Sequence, residues 1–209
     1  ESLAWARMRL AIRAGNRNLA LYLARFVPSE QRGWLEAWQK LSRQGYSKLE
    51  QARKWPDTEV TRMIVAASLQ RLARDNAVLA AKKFDILDQH FNWDETLRAS
   101  LLRDVAMYSA VAMDNDTTAR MQLVPVTYRD SQLLEWWARF LLNRQDWFAL
   151  ADVIEQMPED TRNDDRWRYW LAQAKLRSGQ VKPPSELIKE LSEKANYYIF
   201  LAANELGLT

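Results

Sequence analysis

The residues with chemical potential are few and scattered along this chain. His90 is its single histidine and stands in Asp88-Gln89-His90-Phe91. As a general base it needs a nucleophile within reach. The chain has no cysteine, and no Ser-His-Asp order surrounds His90, so it reads as a helix-end histidine favoured by the helix dipole. Three acidic pairs, Asp114/Asp116, Glu159/Asp160 and Asp164/Asp165, invite comparison with the two carboxylates of glycoside hydrolysis, which require one buried, protonated member. All three fall at helix starts or in polar loops, where acids cap helices and stay solvated. Without cysteines and with one histidine, thiolate catalysis, iron–sulfur clusters and the usual zinc sites are excluded. No catalytic residue, no metal ligand and no cofactor is assigned, and no binding residue is singled out.

The ten tryptophans offer stacking faces for sugars or unpaired bases. Trp34, Trp38, Trp136, Trp137, Trp167 and Trp170 each lie on the apolar face of their own helix and are expected in the core. Trp5, Trp55, Trp93 and Trp147 lie nearer helix ends and are the better candidates for exposure. The net charge is +3 but unevenly distributed. Residues 1–54 hold eleven Lys/Arg against four acids, a balance of +7, and the remainder carries −4. A basic end of this kind favours a polyanionic partner, although a solvated charged face explains it equally.

The elements that must position these residues are helical. Five glycines and six prolines in 209 residues are too few for the turns of a β domain of this length. Apolar residues recur at helical spacing: Trp34, Trp38 and Leu41; Leu133, Trp136, Trp137, Phe140 and Leu141; Trp167, Trp170, Leu171 and Ala174. Val124-Pro125-Val126 is the one β-like stretch, and its proline makes it a loop. Helix punctuation is frequent. Gly15-Asn16 ends one helix and starts another, Ser29 follows Pro28 as a cap, and Ser47-Lys48-Leu49-Glu50 has capping-box spacing. Asn92, Asp75, Asp146 and Ser185 are further expected caps, while Gly179 and Gly207 suit a left-handed helix end.

Two internal echoes support a repeat. Leu10–Asn16 resembles Ala174–Gln180, and Asn16 to Pro28 matches Asp146 to Pro158 in cap-to-proline spacing. About a dozen helices with short links predict an all-α fold, an α-α superhelix of stacked antiparallel hairpins of the tetratricopeptide-like α-solenoid type. No linker divides the chain, so residues 1–209 are expected to form one helical-repeat domain. No run of apolar residues is long enough to span a membrane. The first residues already read as helix rather than as a signal peptide, as in an internal piece or a processed product.

Several blocks, in order and over nearly the full chain, resemble the helical segment of soluble lytic murein transglycosylases. They are Arg9-Leu10-Ala11 with Ala14-Gly15-Asn16, Thr61-Arg62-Met63 with Leu72-Ala73-Arg74-Asp75, the Trp-Arg-Tyr-Trp run 167–170, and Tyr197-Tyr198-Ile199-Phe200-Leu201-Ala202-Ala203 with Leu206-Gly207. A small residue is common in the family where Ile199 stands. The resemblance implies a periplasmic enzyme that cleaves peptidoglycan between N-acetylmuramic acid and N-acetylglucosamine and leaves anhydromuramoyl ends. The family's catalytic Glu lies in a Glu-Ser motif followed by Gly-Leu-Met-Gln. Glu1-Ser2 imitates its first half, but no Gly-Leu-Met-Gln follows, so no catalytic role is carried over. The expectation is a non-catalytic scaffold segment whose partners are peptidoglycan and the enzyme's own downstream catalytic domain. A free-standing adaptor for a protein partner is one alternative. A nucleic-acid-binding helical repeat is another, disfavoured because no nucleic-acid motif accompanies the charge.

Overall fold

A computed structural model describes residues 3–180. The expected cap Ser185, the helix end at Gly207 and the Tyr-Tyr block 197–203 lie outside the described residues. Contacts cluster into two compact units, Glu1–Val124 and Pro125–Thr209, whose boundary falls inside the Val124-Pro125-Val126 loop. Every described element is helical, so the all-α class of stacked hairpins is what the chain adopts.

The first unit opens with α1 (Leu3–Arg13) and α2 (Arg17–Leu23), which runs on into a 3₁₀ turn, Ala24–Phe26. Then follow α3 (Ser29–Arg43), a 3₁₀ stretch Leu49–Lys54, α4 (Glu59–Asp75), α5 (Ala77–Asp88), α6 (Glu95–Val111) and α7 (Thr117–Leu123). The α1–α2, α4–α5 and α6–α7 pairs pack as hairpins. Their short links leave the chain no option but to reverse direction. Helix α4 is the hub: it packs on α1, α3, α5 and α6. Eleven of its seventeen residues are buried, among them Ile64, Val65, Leu69 and Leu72. In the second unit, a 3₁₀ turn Val126–Tyr128 precedes α8 (Ser131–Arg144), α9 (Trp147–Glu155), α10 (Glu159–Arg162) and α11 (Asp165–Arg177). There α9 is packed between α8 and α11.

The corners explain how so few glycines suffice. At Gly15 the backbone turns left-handed, φ +66°. The N–H groups of Gly15 and Asn16 then bond back to the carbonyls of Ile12 and Ala11 at 2.9 and 2.8 Å, which is the Schellman closure. Gly179 does the same, with φ +75° and bonds to Leu176 and Lys175 at 3.1 and 2.9 Å. Met113 and Gln145 adopt the same conformation without being glycine, φ +53° and +57°.

Immediately after such corners, Asn16 and Asp146 cap α2 and α9 by accepting from the N–H of Leu19 and Ala149, each at 3.2 Å. Pro28 and Pro158 then stand just ahead of α3 and α10 with nearly identical backbone angles. The cap-to-proline echo is thus a repeated device, one copy in each unit.

Four expected caps shift. Helix α3 begins at Ser29 itself, with Pro28 in the cap position. Asn76 rather than Asp75 caps α5, accepting from Leu79 N–H at 3.0 Å, and Asp75 pairs with Arg71 instead. Asp94 rather than Asn92 caps α6 at 2.9 Å from Leu97 N–H. Ser47 donates to the Gln44 carbonyl at 3.0 Å, so the expected Ser47–Glu50 box does not form. The capping box of this unit lies at Thr58 and Thr61, whose side chains each bond the other's backbone N–H, at 3.3 and 3.0 Å.

Glu50 is taken up by a different contact, an ion pair with Lys83 that ties the 3₁₀ stretch to α5. Burial pushes the Glu50 carboxyl up. The Lys83 hydrogen bond, a local backbone hydrogen bond and the charges of Lys83 and Arg53 outweigh it and hold the carboxyl below its ordinary value of 4.5. A carboxyl depressed in the folded state stabilises above its unfolded value, and that contribution disappears as pH falls through the folded one. For a pair with Glu50 still one-third exposed, the contribution is up to about 1 kcal/mol. Glu50→Gln is therefore expected to flatten part of the fall in urea midpoint between about pH 6 and about pH 3. An unchanged acid profile in the variant contradicts this assignment.

Candidate functional site

The first unit carries two adjoining clefts, of 790 and 520 Å³, which share Arg13, Ala67 and Gln70. Their common wall is a single stripe of α4. Glu59, Met63, Ala67 and Arg71 form one row of four-residue steps, Arg62, Ala66, Gln70 and Arg74 the row beside it, and all eight line the clefts, as residues on one helical face must. The groove exists because the middle of this stripe is Ala66 and Ala67, too small to fill the space between α1 and α6.

The larger cleft is completed by the α5–α6 loop and α6. Arg62 Nη1 donates to the Asn92 carbonyl at 2.8 Å and to Asp57 Oδ1 at 3.2 Å. Asp57 Oδ2 accepts from Asn92 N–H at 3.0 Å. This closed three-residue arrangement holds the loop against α4 and seats Trp93, whose ring lies 5.2 Å from that of Phe91. Gln70 Nε2 donates to Asp104 Oδ2 at 2.9 Å, fixing α6 at the far side. Met63, Ala66 and Leu97 supply the apolar floor. The two acids here are exposed and engaged: Glu59 pairs with Arg9, and Asp94 caps α6.

The smaller cleft lies at the α1–α2 corner, against the end of α3 and the last turns of α4. It is lined by Arg13, Arg17, Arg71 and Arg74, with Asp75 as its one acid, and by Trp38 and Ser42. Arg71 is neutralised by Asp75 at 3.1 Å. Arg17 Nη1 donates to Ser42 Oγ.

His90 lies at the end of α5, with Nε2 3.0 Å from the Trp55 carbonyl and its ring edge-on to Phe91 at 4.8 Å. It ties the end of α5 to the loop ahead of α4 and does not line either cleft. Of the acidic pairs, Asp164 caps α11 at 2.9 Å from Arg166 N–H, while Asp165, Glu159 and Asp160 occupy first helical turns. Asp116 holds the cap position of α7 without a side-chain bond, and the Asp114 carbonyl accepts from Thr117 Oγ1 at 2.7 Å. Among the described residues no three acids or histidines gather as metal ligands would.

The tryptophans divide differently from the expectation. Trp38, Trp137 and Trp167 are buried as expected, while Trp34, Trp136 and Trp170 are only partly so. Trp93, expected to be exposed, is buried, because the loop before α6 folds inward. Trp5, Trp55 and Trp147 are partly covered, Trp147 by the Arg177 guanidinium 4.7 Å from its ring centre. Arginine likewise covers Trp136, with the Arg139 guanidinium 4.9 Å from its ring centre and 5.6 Å from that of the buried Trp167. Such contacts leave the half-buried Trp136 and Trp147 not free to stack on a ligand.

Comparison with known proteins bears out the resemblance drawn from the Trp-Arg-Tyr-Trp and Arg-Leu-Ala blocks. The chain is 27% identical over 203 residues to the soluble lytic murein transglycosylase of Escherichia coli K12, and 28% identical to that of Salmonella typhimurium. Each match takes in 96% of this chain and 31% of the relative. Among solved structures it is similar to an inactive mutant of the lytic transglycosylase Slt from Pseudomonas aeruginosa, with TM-score 0.80 and 25% identity, covering 99% of this chain and 34% of the other. The 70 kDa soluble lytic transglycosylase of Escherichia coli superimposes with TM-score 0.67 and 26% identity, over 96% of this chain and 33% of the other. This chain thus spans about a third of the length of the relatives it matches. No family model matches it. No helix among the described residues is long and apolar enough to cross a membrane.

Proposed function

We propose that this chain is a non-catalytic helical scaffold of a soluble lytic transglycosylase. It acts in the periplasm, contacts peptidoglycan and positions it for a catalytic domain carried elsewhere in the same enzyme. The full enzyme would cleave between N-acetylmuramic acid and N-acetylglucosamine to give anhydromuramoyl products. The observation that carries this reading is the match over 96% of the chain to only 31% of soluble lytic murein transglycosylases.

The groove chemistry supports a binding role. General acid catalysis at a glycosidic bond requires a carboxyl kept protonated by burial. Glu59 and Asp94, the acids of the larger cleft, are exposed and already engaged by Arg9 and by the α6 N-terminus. A scaffold that holds remote parts of a polymer lowers the entropic cost of aligning the bond that reacts.

Binding through a basic surface must weaken with salt, since the Debye length falls from about 8 Å at physiological ionic strength to about 3 Å at 1 M. The chain is expected to sediment with purified sacculi at low salt and to lose most of that binding as salt rises. No sedimentation at low salt, or sedimentation indifferent to salt, contradicts a charge-driven contact.

A further inference from the structure

The smaller cleft gathers more positive charge than the fold explains. Arg13 and Arg74 are exposed at its rim, and neither has a carboxylate partner among the described residues. Both sit in C-terminal helical turns, which suits a cation. Arg17 does not fit that account. It is the first residue of α2, at the end of the helix where a positive charge is disfavoured. Its Nη1 is spent on a serine hydroxyl rather than an acid, and its Nε is buried with no hydrogen-bond partner. A desolvated guanidinium nitrogen without an acceptor is costly, so Arg17 is a cation held in place at a cost to the fold, with Arg13 and Arg74 lining the same cleft. An anion seated between the three guanidinium groups offsets their mutual repulsion.

We propose that this cleft binds a carboxylate of a peptide-bearing wall fragment, an inference that rests on the scaffold reading and names what the scaffold grips. Guanidinium groups match carboxylates through paired N–H donors. The rest of the lining suits peptide rather than a dense polyanion. Asn18, Gln70 and Ser42 offer amide and hydroxyl groups, and the cleft opens beside Gln70 into the larger one with its Met63, Ala66 and Leu97 floor. Glu59, Asp75 and Asp94 interrupt the basic lining along the joined groove, whereas recognition of a continuous phosphate chain needs an unbroken basic track. An isolated carboxylate followed by amide and apolar groups needs only the one cluster of arginines.

The test is calorimetric titration of the 209-residue chain with three probes: the disaccharide–tetrapeptide released from sacculi, the same fragment with its carboxylates amidated, and glycan strands stripped of peptide whose exposed lactyl carboxylates have been amidated. The intact fragment is expected to bind. Amidation, and the double substitution Arg13→Ala with Arg74→Ala, are each expected to weaken it at least tenfold. Both arginines are exposed, so the variant should keep the wild-type melting curve, and Arg13→Lys with Arg74→Lys should recover part of the affinity. Equal affinity for amidated and intact fragment, or for stripped glycan, overturns the proposal, as does an unaffected double variant. If the double variant still sediments with sacculi as the parent chain does, the carboxylate site falls and the scaffold reading stands. If the parent chain binds none of these probes and no sacculi, both fall.

Discussion

Replacing Trp38 with alanine is expected to destabilise the first unit by about 3–5 kcal/mol, the range for a buried tryptophan truncated in a packed core. Trp38 is 1% exposed in α3 and packs where α3 meets α4, beneath the smaller cleft. Its indole N–H is buried without a partner, so the side chain contributes through volume and apolar contact alone. That sets up an internal control. Trp38→Phe keeps most of the ring volume and removes an unsatisfied donor, whose burial costs about 1–3 kcal/mol. The phenylalanine variant should therefore lose far less stability than the alanine variant. Urea midpoints of the two variants decide the point. If phenylalanine costs as much as alanine, the N–H is contributing a bond and the account of this core is wrong.

The buried indoles show what can and cannot be read from helical spacing. Trp38, Trp137 and Trp167 belong to faces that repeat every three or four residues, and a helix buries such a face wherever it packs. Trp93 precedes a helix, and no period applies to it. Its burial follows from Asp57, Arg62 and Asn92 drawing the loop inward, contacts between residues some thirty positions apart. Corners behave similarly. Gly15 and Gly179 announce left-handed ends because glycine alone adopts them without cost. Met113 and Gln145 make the same turn and carry no local mark.

Cap positions are ambiguous in the sequence where two capping residues stand close together. Asp75 and Asn76 are both competent, as are Asn92 and Asp94, and only the backbone register selects Asn76 and Asp94. At Ser47–Glu50 the spacing was right, but Glu50 found a stronger partner in Lys83. The groove was half legible. The α4 stripe from Glu59 to Arg74, with small residues at its centre, is a sequence pattern. That Arg13 and Arg17 meet Arg74 is not, because it depends on the angle at which the α1–α2 corner docks on α4. The basic balance of residues 1–54 pointed toward an anionic partner without saying which of its eleven cations would converge.

The central claim is binding without cleavage, and its expected effect is all or none. The 209-residue chain, incubated with intact sacculi at low salt, is expected to appear in the pellet, while the supernatant contains no anhydromuramoyl fragments. A lytic transglycosylase with its catalytic domain, run alongside, should release them. The contrast is large because glycosidic cleavage depends on a positioned, protonated carboxyl, and the groove offers only exposed, engaged acids. Chromatography of the supernatant and a protein assay of the pellet read both halves together. Pelleted chain with a product-free supernatant is the predicted result; released anhydromuramoyl products, or a chain that stays wholly in solution, contradicts it.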